Sequence, residues 1–377
     1  MEREPEPAPR PPDLALVIVE SLRHDGLEQM PFLRGLGERY SSYALAVSPA
    51  SWTLPSVASL LTGLPVHQHG VTTPESVLPV ETLTLAEALG ERGYTTALFG
   101  VNSWYGADRG LDQGFDVYRA WDGLSGGQLV EEVRTWLAGA PDEPVFVVVH
   151  VFDPHCPYRP PASQTVRPAG GGRVLTHAEW AQQGACFQVE DAHGAPELRV
   201  DAVKARYEAE LRWTDDVLER LVGVLDHGRP GTGIAVVGDH GEAFWEHGTW
   251  GHGRTLHPEE IHVPAVWVSP ERHELGVVEG PPHTSLMPVL HLAEAGGLEH
   301  LDEPAAISET SYDGPRRRAA WVQGGRVIDA PWGERADGDE RWFEAARNAL
   351  PGEAVAAEER PLSVASEQAL RALGYVD

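Results

Sequence analysis

Five short apolar runs, three of them ending at residues able to bind metal, restrict the fold of this chain more than any other feature. The first, Leu14 to Val19, is continuous and partly β-branched, the pattern of a strand buried on both faces. The others span Tyr94 to Phe99, Val145 to Phe152, Ile234 to Val237 and Val263 to Val268. Helical patterns lie between them. One covers Leu83 to Arg92. A longer one runs from Glu197 to Leu225, with Val203, Tyr207, Leu211, Val217, Leu218, Leu221 and Leu225 on one face. Strands alternating with helices predict an α/β fold, a sheet with helices on both sides.

In such sheets ligands collect beyond the C-terminal ends of the strands. Glu20 stands at the end of the first strand, His150, Asp153 and His155 at the third, Asp239 and His240 at the fourth. Asn102 and Trp104 follow the second, where they are placed to line a substrate pocket. The pentapeptide GDHGE, Gly238 to Glu242, sets an acid beside an imidazole, a pair that suits a divalent transition metal. His247 and His252 add two more imidazoles, making three within thirteen residues. In HVFDPHCPY, Pro154 and Pro157 stiffen the chain around His155. Any one of these histidines is more often a satisfied hydrogen-bonding residue; the group together points to a metal or phosphate site. Arg23 and Asp25 read as structural, although an arginine there is also able to hold an anion. The stretch ASWTLPSVASLLTG places Thr53 just before a helical run, Ser56 to Leu61, with Pro55 near its first turn. A helix N-terminus at that point favours an anionic ester.

Composition narrows the partners. A net charge of −28 repels phosphate backbones, so nucleic acid is excluded as the expected ligand. No apolar run approaches the roughly 18 residues of a membrane span, so no membrane anchor is expected. The start, MEREPEPAPRPP, has no apolar region of a secretory signal and reads as a disordered leader, residues 1–12. The two cysteines, Cys156 and Cys186, are expected to be reduced thiols in a cytoplasmic protein. Past Ala305 the pattern changes to short strands with a Gly-Gly turn between Gln323 and Arg326, then a helix over Ser363 to Leu373. Residues 13–304 are therefore expected to form a catalytic domain, and 305–377 a small α+β subdomain packed on it. The segment Pro160 to Pro196 is a candidate lid or substrate loop.

The motifs VIVESLRHD, SWTLPSVASLLTG, HVFDPHCPY, GDHGEAFWEHGTWGHG and LRALGYVD occur in an order that resembles the sulfatase branch of the alkaline phosphatase superfamily. The resemblance runs from Leu14 to Asp377. It implies an alkaline-phosphatase-like mixed, mostly parallel sheet with a small C-terminal antiparallel sheet and helix. It also implies hydrolysis or transfer of sulfate, phosphate or phosphonate esters with a bound divalent metal. The chain departs from the formylglycine sulfatases at the nucleophile, where C-x-P-S-R or S-x-P-S-R is replaced by Thr53, Leu54, Pro55, Ser56 and Val57. The only lysine, Lys204, falls inside the long helical pattern, away from any sulfate. Glu20 and Ser21 stand where sulfatases have paired aspartates. Glu20, Thr53, Asp239 and His240 match instead the metal quartet of phosphoethanolamine transferases and lipoteichoic acid synthases, which implies one Mn²⁺ or Zn²⁺. Thr53 is then the nucleophile, attacking a small anionic ester to give a phosphothreonine. His155 and His252 are candidates for holding the non-bridging oxygens, for protonating the leaving group, or as ligands of a second metal. His150, Asp153 and His247 are candidates for substrate binding or for completing that second metal. A sulfoester hydrolase working through unmodified Thr53, and a catalytically weak binding protein on the same fold, are the alternatives.

Overall fold

The computed structural model describes residues 10–106, 108–168, 196–279, 283–298, 306–311, 316–322, 325–329, 335–338, 347–348, 350 and 354–373. The main sheet has eight strands: β1 (Leu14–Val19), β2 (Ser41–Tyr43), β3 (Thr95–Val101), β4 (Val117–Trp121), β5 (Val145–Val151), β6 (Gly233–Gly238), β7 (Ala265–Val268) and β8 (Gly276–Val278). Their order across the sheet is β8-β2-β7-β6-β1-β5-β3-β4. The block β6-β1-β5-β3-β4 is parallel throughout. β7 runs antiparallel to both β6 and β2, so the sheet is mixed but mostly parallel.

Six helices cover the two faces, and strand parity sorts the core between them. Ala15, Val17 and Val19 of β1 face α1 (Pro31–Arg39) and two helices named below; Leu14, Leu16 and Ile18 face the other side. The first layer also holds α4 (Gly126–Ala138) and α5 (Pro196–Gly228), through Leu129, Val133, Leu211 and Leu221. The second layer is built from α2 (Thr53–Thr62), α3 (Leu85–Gly90) and α6 (Met287–Ala295), through Leu54, Val57, Leu89 and Val289. Every residue of β1 is 0% exposed, which is why its sequence is a continuous apolar run rather than an alternation.

A four-stranded antiparallel sheet follows, made of β9 (Ala306–Thr310), β10 (Arg317–Val322), β11 (Gly325–Asp329) and β12 (Arg335–Gly338). A terminal helix, α7 (Val364–Leu373), puts Leu370 into the α2 side of the core. β9 also docks on the body. The Glu309 amide donates to the Pro49 carbonyl, and Thr310 Oγ1 donates to the Gly253 carbonyl. The Glu309 carboxylate, 1% exposed, accepts from the backbone and ring of His67 and from Arg316.

The five strands expected from apolar runs are present with ends shifted by one or two residues. β2, β4 and β8 were not expected. β2 and β8 have only three residues each, and β4, VYRAW, is half-exposed, so none carries an apolar run. Of the candidate lid, residues 169–195 lie outside the described residues, as do residues 1–9 of the leader. Cys156 is disulfide-bonded rather than a reduced thiol, so the cysteines lend the cytoplasmic expectation no support. Cys186 lies outside the described residues. Among the described residues no helix is long and apolar enough to cross a membrane.

Candidate metal centre

Parity along the strands decides which strand-end residues meet. Glu20 continues the even positions of β1, His150 those of β5 after Phe146 and Val148, and Asp239 those of β6 in step with Ala235 and Val237. Asn102 continues Leu98 and Gly100 of β3. All four project toward the face that carries α2, whose first residue is Thr53. Asp153 stands at an odd position and turns to the opposite face. There its Oδ1 accepts from the Gly126 amide at the start of α4 and from Trp213 of α5.

The four residues implied as a metal quartet converge. Thr53 Oγ1 donates to Glu20 Oε1 at 2.7 Å and lies 3.3 Å from His240 Nε2. His240 Nε2 is 3.0 Å from Glu20 Oε1 and 3.5 Å from Asp239 Oδ2. Each of the four is 0% exposed. His240 Nδ1 donates to the Gly241 carbonyl at 2.8 Å, which leaves Nε2 turned toward the quartet. Gly241 is required there, because a Cβ would lie 2.1 Å from the Glu259 carbonyl oxygen. Asp239 Oδ1 accepts from the amides of Ser21 and His240, while Oδ2 is buried without a hydrogen bond. Ser21 adopts φ 53, a left-handed conformation that turns its amide onto Asp239. The Asp239 carbonyl is in turn fixed by Ser48 Oγ and by Ser56 Oγ of α2.

The charges explain what such a cluster wants. Burial, then repulsion from Glu20, pushes Asp239 up to about 7. Burial alone would raise Glu20 as well, but His150 and His240 outweigh it and hold Glu20 well below the usual carboxylate range. Burial works against a charged His240, yet Asp239 and Glu20 bring it up to about 9. Two buried carboxylates, one oxygen of them without a hydrogen bond, and imidazole nitrogens form a donor set that fits a divalent transition ion. Ligand atoms of Glu20, His150 and Asp239 lie within 4.8 Å of one another, a grouping suited to a metal.

The remaining candidates separate. His252 is close, with its ring 4.3 Å from that of His240 and 5.2 Å from that of His155. Its Nδ1 meets Glu242 Oε1 at 3.1 Å, and Tyr158 donates to Glu242 Oε2 at 2.8 Å. His155 Nδ1 donates to the Cys156 carbonyl at 2.6 Å, and burial lowers its pKa to about 4. In both rings Nε2 is the nitrogen not used in that bond. Asn102 supports Glu20 rather than facing substrate: its Nδ2 donates to Glu20 Oε2 at 3.0 Å. Trp104 is 0% exposed and packs edge-on against Trp52, so it belongs to the core beneath α2 and not to a pocket wall. His247 is turned outward, where it bonds Glu259 and stacks on His257 at 3.8 Å. Arg23 is held by Asp25 and Glu246, in keeping with a structural role. Lys204, on α5, lies near Asp25 and Glu208 instead of the quartet.

Glu242, Tyr158 and Tyr105 escaped the sequence reading. Only three-dimensional packing pairs Glu242 with a histidine ten residues on, whereas the parity of β5 was available to assign His150 to the metal group. Beside His155 opens a cavity of about 690 Å³ lined by Phe152, Tyr158, Arg159, Glu210 and Trp213.

A model of the sulfatase family matches residues 12–282. The chain belongs to the sulfatase family. This sulfatase-family chain is 27% identical, over 322 residues, to the low-salt glycan biosynthesis sulfotransferase Agl7 of Haloferax volcanii. The match covers 81% of the chain and 66% of that protein, just under two thirds of its length. Its fold is similar to the phosphonate monoester hydrolase of Agrobacterium radiobacter (TM-score 0.69, 17% identity, 89% and 94% of the two chains). It is also similar to the 2-O GAG sulfatase BT1596 (TM-score 0.70, 14% identity, 88% and 86%). Sulfatase-family enzymes use a divalent metal.

Proposed function

We propose that this protein is a metal-dependent hydrolase or transferase of phosphate or phosphonate esters, with Thr53 as its nucleophile. The observation that carries the reading is the Thr53 hydroxyl, 2.7 Å from Glu20 and 3.3 Å from His240 at the N-terminus of a ten-residue helix. Glu20, Thr53, Asp239 and His240 would hold one Mn²⁺ or Zn²⁺. Such an ion, when bound, supplies Lewis acidity that lowers the hydroxyl pKa and offsets the charge of the ester. Glu20 accepts the hydroxyl hydrogen and orients the oxygen. The N-terminal end of α2 favours the anionic oxygens through its helix dipole. Bond formation from Thr53 Oγ1 to phosphorus expels the leaving-group oxygen, which takes a proton from His252. Glu242 fixes the ring of His252 for that transfer. Water or an acceptor alcohol then cleaves the phosphothreonine and regenerates Thr53. The cavity beside His155 suits the leaving group.

A sulfate ester is the second reading, favoured by the family match and by the sulfotransferase relative. Phosphorus is preferred because Thr53 cannot become formylglycine and because Val57, in the place of the supporting arginine, is 0% exposed within α2. The test is a panel of nitrophenyl phosphate monoester, diester, phosphonate and sulfate with Mn²⁺- or Zn²⁺-loaded protein. Thr53→Ala is expected to lose about 10³-fold or more in kcat, with its fold intact. An unaffected variant removes Thr53 from the chemistry, and turnover of the sulfate alone transfers the reading to sulfur.

A further inference from the structure

The first turn after β3, Ser103–Tyr105, does two things at once. At its start, Asn102 accepts from the Trp104 amide and donates to Glu20 Oε2. At its end, the Tyr105 ring lies 5.0 Å from the ring of His150. Tyr105 reaches that position over the bare Cα of Gly100, where a Cβ would come within 2.6 Å of the tyrosine ring. His150 is 0% exposed and gripped on this side, with Nε2 3.1 Å from Glu20 Oε2.

That approach is not an aligned hydrogen bond, and neither ring nitrogen of His150 makes one. Glu20 does not need His150 to be held. Its Oε2 already accepts from Asn102, and its Oε1 meets Thr53 and His240. A buried imidazole without an aligned hydrogen bond, aimed at two buried carboxylates, is what a ligand nitrogen looks like. It sits beside Asp239, whose Oδ2 likewise makes no hydrogen bond.

We infer that His150 is a further ligand of the metal centre, aimed by the Tyr105 turn, so that the bound ion has two imidazoles rather than one. The inference rests on the proposed metal centre but not on the identity of the ester. Two nitrogen donors favour zinc over magnesium or calcium.

X-ray absorption on the zinc-loaded protein counts imidazoles directly. The expected count is two in the wild type, one in His150→Ala and one in His240→Ala. Zinc affinity is expected to fall by more than about tenfold in His150→Ala. A wild-type centre with one imidazole, absent only from His240→Ala, overturns the inference while leaving the metal-dependent reading standing. Protein that takes up no zinc overturns both. If His150→Ala does not fold, His240→Ala decides alone: one remaining imidazole supports His150, and none rejects it.

Discussion

At the scale of single residues, the site is a set of side chains each held by another. Thr53 is fixed by Glu20, Glu20 by Asn102, Asp239 by the amides of Ser21 and His240, and His252 by Glu242. Glu242→Gln keeps the size of that last partner and removes its charge. It is expected to lower kcat roughly tenfold to a hundredfold, with zinc content unchanged, since Glu242 is placed against His252 and not in the quartet. Equal loss of metal would put Glu242 among the ligands instead. Much of this set was legible. Glu20, Thr53, Asp239 and His240 were read from their positions beside strand and helix ends and from the resemblance, and the structure brings all four together. Asp153, His247 and Trp104 were not separable by type alone from the residues that converge. The period-2 alternation of β5 sends His150 and Asp153 to opposite faces, and that geometry, not residue chemistry, divides them.

At the scale of elements, the turn after β3 and the helix α2 carry the burden. Gly100→Ala would drive a methyl group into the Tyr105 ring. It is expected to cost about 1–3 kcal/mol of stability and to weaken metal binding, both measured on one sample by denaturant titration and zinc titration. A stability loss with unaltered zinc affinity would free the site from Tyr105. On the far side of α2, His69 accepts from the Val71 amide at Nδ1, which leaves Nε2–H to donate to Ser59 Oγ at 2.9 Å. Burial lowers its pKa to about 3. The unfolded chain therefore takes up the proton first, near the ordinary histidine value of about 6.5. Stability from this group is complete above that pH and is lost as pH falls toward the folded value, by at most about 1.4 kcal/mol per pH unit. His69→Gln keeps a donor to Ser59 and removes the titration. Its stability, measured by urea unfolding, should fall less steeply than wild type below pH 6 (about half a unit under that reference value).

At the scale of the whole molecule, the net charge of −28 acts on substrate and fold alike. Like charge slows the arrival of an anionic ester and strains the compact state, and salt screens both effects. Raising sodium chloride from about 0.05 to 0.5 M shortens the Debye length from roughly 14 to 4 Å, so kcat/KM for an anionic ester should rise and the thermal midpoint should move up. A fall in kcat/KM would reveal a local positive funnel at the site that the net charge conceals. The doubly covered sheet was legible because its central strands are apolar on both faces. Its far side was not, since Ser41–Tyr43 and Gly276–Val278 are three-residue strands too short to carry an apolar run.

The loop that carries Thr53 is completed by a strand, Ala306–Thr310, far along the chain. Residues 306–310 supply the partner of Pro49 and, through Gly253, tie down the loop of His252; the Gly253 amide reaches back to the Ser51 carbonyl. During synthesis, domains form as the chain emerges, N-terminal parts first. The quartet can gather as soon as Asp239 and His240 are made, but the loops around it stay open until about seventy more residues have left the ribosome. A nascent chain paused before Ala306 would thus carry every residue of the quartet without the strand that closes around it.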